Sequence, residues 1–177
     1  MPASRFIRRA HGLMLVLVVG ATALPGTAAP PGPHRVTSHG PLDGMAFVGR
    51  LGPAGEPGDR EDTLYFRAGH FWSAICTPCG FMPAKYWVRR SAAGIHFRGR
   101  LTSPESGTFE YSGVLHDDGR ITVDINWRKE RWYWTIDRAF RFVGSLAEGD
   151  PVATLDEARA SAESALRSGA RCDPRRS

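Results

Sequence analysis

The chain is 177 residues long, with 42% hydrophobic residues, 23% charged residues and three cysteines. That length suits one globular domain with appendages, and 17 of the 18 aromatic residues fall between Met45 and Leu146, which excludes a disordered chain. The formal charge of +5 shrinks once residues 1–29 are set apart. They hold Arg5, Arg8 and Arg9 and no acid, leaving 20 basic against 18 acidic residues after Ala29. So small an excess gives no support to a nucleic-acid partner.

The first element in chain order is an address. The three arginines precede an apolar run from Leu13 to Ala23, followed by Pro25, Gly26 and the small residues Thr27, Ala28 and Ala29. This is the layout of a secretory signal at residues 1–29. Eleven residues at ~1.5 Å each cover about half of a ~30 Å hydrocarbon core, too little for a membrane-spanning helix. Ala10-His11-Gly12 after the arginine pair fits a twin-arginine signal poorly, and no cysteine lies near the cleavage region for lipid attachment. The mature chain is expected to begin near Pro30, to be secreted or periplasmic, and to have no integral membrane segment.

Residues 30–44 are rich in Pro, Gly and His and read as a flexible leader. A second Gly/Pro/acid stretch, Gly52 to Asp62, reads as a long loop. Between 45 and 146 short apolar-aromatic runs alternate with turn signals. Leu64-Tyr65-Phe66 meets His70–Ile75 across Arg67-Ala68-Gly69, and Tyr86–Arg90 meets Ile95–Leu101 across Ser91–Gly94. Thr108–His116 turns at Asp117-Asp118-Gly119 into Arg120–Arg128. Period-two alternation is clearest in Ile121, Val123, Ile125 and Trp127, opposed by Thr122, Asp124, Asn126 and Arg128. After a short turn expected near Lys129-Glu130, the even positions Trp132, Trp134, Ile136, Phe140, Phe142 and Leu146 continue the apolar face, with a bend or bulge expected around Asp137–Ala139, where Arg138 interrupts it.

No interval between these strands holds the dozen residues of a helical crossover. The sequence therefore predicts an all-β fold, an antiparallel up-and-down meander of about eight strands. Closing it into a barrel removes two aggregation-prone edges. In residues 147–177 the pattern changes. Thr154-Leu155-Asp156-Glu157 is a capping box, and Leu155, Ala158, Ala162, Ala165 and Leu166 form one stripe of a C-terminal helix that Gly169 can end.

One antiparallel meander behind an export signal, a helix after the last strand and a cysteine beyond that helix resemble the lipocalin/calycin superfamily. The likeness is one of layout and runs from about Asp43 to Cys172. At the place of that family's first-strand Gly-x-Trp the chain has Gly44-Met45-Ala46-Phe47. The resemblance implies a barrel that holds a small apolar ligand in its lumen, with its helix tied to the barrel by a disulfide.

The most pointed motif is Cys76-Thr77-Pro78-Cys79-Gly80, which suits a redox pair, half of a zinc site or separate structural bridges. Redox chemistry wants the first thiol at a helix N-terminus, and here a strand leads in while Met82-Pro83 follows. Zinc wants three or four ligands, and His70, His96 and His116 have no ligand spacing; no metal site is assigned. For a structural bridge, a four-residue Cys76–Cys79 loop contributes roughly 2 kcal/mol in the chain-entropy model. Tying Cys172 to Cys76 or Cys79 closes nearly a hundred residues and contributes about 4.7, so this pairing is favoured, leaving one free thiol.

The run Asn126–Trp134 interleaves basic and aromatic residues. It admits stacking on single-stranded nucleic acid, sugar stacking, an interface, or a hairpin whose Trp residues pack inward; the last leads, and Trp134→Ala is then expected to cost ~3–5 kcal/mol. Asp124, Asp137 and Glu110 are single acids with no paired partner, no phosphate loop or nucleophile elbow is present, and no cofactor is expected. The sequence points to an exported, non-enzymatic barrel binding a small apolar or amphipathic ligand or a protein partner. Phe97, Tyr111, Trp127, Trp132 and Trp134 are the candidates for lumen lining or core. The alternative is an extracytoplasmic thiol–disulfide or metal-binding protein using Cys76 and Cys79.

Overall fold

A computed structural model describes residues 40–149 and 153–170. The export segment, most of the leader, and Cys172 with its expected disulfide lie outside the described residues. Eight strands follow in order: β1 Ala46–Pro53, β2 Arg60–Arg67, β3 His70–Ser73, β4 Ala84–Ser91, β5 Gly94–Ser103, β6 Gly107–Leu115, β7 Arg120–Arg131 and β8 Trp134–Leu146. Each pairs antiparallel with the next, and β8 pairs with β1, so the meander is a closed barrel as the alternation predicts.

The tight turns follow from local chemistry. Ala68 and Gly69 both have positive φ, 52° and 72°, and so form the primed turn that joins β2 to β3. The Asp43 carboxylate braces this turn by accepting the Gly69 N–H, and it also accepts the Tyr86 hydroxyl at 2.6 Å. Closure of the barrel depends on two facing glycines. Gly49 of β1 lies opposite Gly144 of β8, and a Cβ on Gly49 would fall 2.3 Å from the Val143 carbonyl oxygen. Without side chains there the two strands close over the Phe142 ring, which would lie 2.7 Å from the same Cβ.

The lumen is packed with aromatic rings. Phe66 stands at its centre, edge-on to Phe47, Tyr86 and Phe97 with centroids 5.9, 5.0 and 5.0 Å away. Gly99 and Gly113 make room for this cluster, since a Cβ at each would fall 2.1 Å from the Phe71 ring and 2.2 Å from the Phe97 ring. The inner face is apolar and the outer face charged, the reverse of a transmembrane barrel. Among the described residues no helix is long and apolar enough to cross a membrane.

Three expectations need correction. The loop predicted from Gly52 to Asp62 is only residues 54–59, because β1 and β2 pair as far as Leu51↔Arg60. Strand β7 does not turn at Lys129-Glu130 but runs on to Arg131, and the turn is Trp132-Tyr133. No bulge occurs at Arg138: the β7–β8 register runs unbroken from Arg120↔Ser145 to Arg131↔Trp134. Arg138 shares the inward side with its partner Trp127, but β1 pairs with β8 only as far as Phe140, so no strand covers Arg138 on that side and it is exposed.

The helix α1, Leu155–Arg167, has the predicted capping box. The Thr154 hydroxyl accepts the Glu157 N–H at 3.2 Å, and the Glu157 carboxylate accepts the Thr154 N–H at 2.8 Å. Gly169 at φ 65° ends it, with Ala170 N–H donating to the Ala165 carbonyl. Its buried face is Ala158, Ala162 and Ala165, and it packs on the short 3-10 turn Thr77–Cys79, where the Leu166 side chain covers Gly80.

Candidate functional site

Five residues were expected to line the lumen or its core, and the structure divides them. Phe97, Tyr111 and Trp127 are buried in the barrel core. Trp132 and Trp134 are not: they are 94% and 43% exposed, on the β7–β8 hairpin beyond the barrel wall. Alternation correctly assigns Trp134 to the inward side of its strand, but no wall stands opposite it there. The large cost expected for Trp134→Ala accordingly falls away.

The segment between β3 and β4 closes one end of the lumen. Ile75, Cys76, Cys79 and Phe81 pack against Phe109, Tyr111, Trp127 and Phe140. Ser103 and Ser106 hydroxyls donate to the Cys79 carbonyl at 3.2 and 3.4 Å, and the Trp127 indole N–H donates to the Ser106 carbonyl at 2.8 Å. The space left among these rings is about 30 Å3. It has room for a water or two, against the several hundred Å3 of a small-molecule site. A ligand of the size that lipocalin-like barrels take has no room inside.

A buried polar cluster borders this end, and the sequence reading missed it. Asp62 on β2 accepts the Ser73 hydroxyl at 2.7 Å and the Thr63 and Ile75 N–H groups at 2.7 and 3.2 Å. Burial nevertheless raises its pKa to about 6, outweighing the hydrogen bonds that pull it down. Cys76 sits beside it, with its Sγ 3.6 Å from the Tyr111 hydroxyl. Burial, reinforced by the Asp62 charge, pushes the Cys76 thiol up to about 12.

This geometry gives the thiol–disulfide reading no support. A reactive cysteine is exposed and has a lowered pKa, whereas Cys76 is the free thiol among the described residues and is buried. The turn after it is a three-residue 3-10 element, too short to supply a helix dipole. Among the described residues no group of three or more His, Cys, Asp or Glu could hold a metal ion. His96 bonds to Ser91 and His70 to the Ala68 carbonyl, each on its own hairpin.

Outside the barrel the register builds a second feature. Trp87, Arg98, Ser112, Asp124 and Arg141 are consecutive cross-strand neighbours on β4 to β8, and Arg100, Glu110, Asn126 and Ala139 form the adjacent row on β5 to β8. Between the rows lies a trough of about 880 Å3 that ends at Trp87, whose side is 44% exposed. Two of the arginines are held in place, Arg141 by the Asp124 carboxylate at 2.7 Å and Arg100 by Glu110. The small side chains of Ser112 and Ala139 form low points between longer neighbours.

The fold thus defines a closed up-and-down β-barrel with a C-terminal helix, lipocalin-like in layout. Comparison with protein-family models, with curated proteins and with solved structures finds no match to the chain.

Proposed function

We propose that the protein is an exported, non-enzymatic binding barrel that takes an amphipathic, hydroxyl-rich ligand on its outer wall rather than in its lumen. One observation carries this reading: a trough of about 880 Å3 crosses the wall, while only about 30 Å3 remains inside. A saccharide chain fits the chemistry of the trough. The exposed face of Trp87 offers a flat apolar platform for the C–H face of a ring. Arg98, Ser112 and Asn126 along the banks offer planar or hydroxyl hydrogen-bonding groups to its edge. The argument for export is the charged, apolar and small-residue order of residues 5–29.

An exported protein folds in an oxidising compartment. There we infer that Cys79 pairs with Cys172, tying α1 to the turn it packs on and leaving Cys76 as the free thiol. Peptide mapping without reductant should recover the Cys79 and Cys172 peptides joined; a Cys76–Cys79 bridge would contradict it.

The ligand reading is tested by titrating neutral and uronate hexasaccharides against the protein and following tryptophan emission and heat. Saturable binding to at least one of them is expected, weakened roughly 5- to 30-fold by Trp87→Ala, since truncating an aromatic contact residue typically costs about 1–2 kcal/mol. Binding that ignores Trp87→Ala, or none across the panel, overturns the assignment.

A further inference from the structure

The β7–β8 hairpin continues past the barrel. The last pairing of β7 with β6 is Thr108↔Arg128, and β1 reaches β8 no further than Pro53↔Phe140. Beyond these, Lys129↔Ile136, Glu130↔Thr135 and Arg131↔Trp134 are paired in the sheet only with each other, while the Lys129 ammonium donates to the Glu105 carbonyl. At ~3.3 Å per residue the ribbon projects by about 10 Å before its turn. Two-residue hairpin turns ordinarily use Asn, Asp or Gly, yet here the turn residues are Trp132 and Tyr133.

Nothing in the fold requires those side chains. Trp132 is 94% exposed, and its ring neighbour is Tyr133, with centroids 4.7 Å apart; Tyr133 in turn lies 6.1 Å from Trp134. Three contiguous aromatic rings exposed on a projecting hairpin break the local rule that places apolar side chains inside, and such breaks mark functional surfaces. The hairpin is also cationic: its projecting part, residues 129–136, carries two basic and one acidic side chain, and residues 128–138 carry four and two. Glu130 lies 3.2 Å from Arg128. Arg131 and Arg138 form no ion pair among the described residues.

We propose that this tip inserts into the interfacial region of an anionic lipid bilayer. A convex apolar projection needs a soft surface or a matching pocket, and a bilayer interface accepts a wedge without a preformed cavity. Trp and Tyr are the side chains that settle at headgroup depth, with rings in the acyl boundary and N–H or O–H groups in water. Arg131 adjoins the rings at the turn and Arg138 lies lower on the same hairpin, opposite Trp127, and the two supply the electrostatic part of the attraction to lipid phosphates. The inference stands apart from the trough, since Trp87 is on the barrel wall and the tip is beyond it.

The experiment is co-sedimentation of the mature protein with vesicles of equimolar phosphatidylcholine and phosphatidylglycerol, and with phosphatidylcholine vesicles alone. Tryptophan quenching by brominated lipid gives the depth. Binding to the anionic vesicles should be roughly tenfold stronger than to the neutral ones. Trp132→Ala with Tyr133→Ala should weaken it at least about tenfold without moving the thermal unfolding midpoint, whereas Trp87→Ala should leave it unchanged. Arg131→Gln with Arg138→Gln should bring anionic binding down to the neutral level. Absence of vesicle binding, binding indifferent to the aromatic double substitution, or a dimer in solution that buries the tip would each overturn the proposal.

Discussion

Replacing Phe66 by alanine should cost the barrel about 3–5 kcal/mol in a urea melt. The ring is fully buried and meets four other aromatic rings, those of Phe47, Phe71, Tyr86 and Phe97. Each well-oriented aromatic pair adds about 0.5–1.5 kcal/mol to the burial itself. The wall around the ring is a closed hydrogen-bonded circuit, so it cannot move inward to fill the hole, and the upper part of the range is expected. Trp134→Ala in the same melt should stay within about 0.5 kcal/mol, as for an ordinary surface change. If the two variants lose equal stability, the lumen is not the core.

The second large effect is a pH dependence set by Asp62. Its folded pKa, about 6, lies above the ordinary value of 3.8, because burial penalises the charged carboxylate more than its hydrogen bonds reward it. Below the ordinary value the group is protonated in both states and contributes nothing adverse. Between about 4 and 6 the folded protein retains a proton that the unfolded chain has already released, so stability falls as pH rises. Above the folded value the carboxylate is charged in both states and the loss is complete. Two units correspond to roughly 3 kcal/mol. Between pH 4 and pH 7 the native protein should therefore lose about 3 kcal/mol more than an Asp62→Asn variant, which has no charge to bury. Parallel pH profiles for the two proteins would show that Asp62 is hydrated.

Much of the barrel is legible in the sequence because one face of each strand is buried. Ile121, Val123, Ile125 and Trp127 alternate with polar residues and point inward as read. The same rule fails at Trp132 and Trp134 for a physical reason. Alternation reports which side a residue faces, but where the wall stops depends on how far β6 and β1 extend beside the hairpin. Asp62 was hidden by the Gly and Pro residues before it, although it shares the parity of Leu64 and Phe66 and so belongs to the inward face. The trough was not readable at all. It arises from the register of five strands, and single-sequence patterns do not encode how Trp87 lines up with Arg98, Ser112 and Asp124. The sealing of Cys76 likewise depends on how residues 74–83 fold over the barrel end, which the Cys-Thr-Pro-Cys spacing does not specify.

A filled lumen is the claim on which the outer-wall assignment rests, and one fluorescence titration addresses it directly. With Trp87, Trp132 and Trp134 replaced by phenylalanine, the remaining tryptophans are Trp72, which is buried, and Trp127, which lines the residual cavity. Adding hexadecanoate or anilinonaphthalene sulfonate to this variant should leave the protein emission unchanged. A saturable one-to-one change would place a ligand beside Trp127 and return the binding site to the inside of the barrel.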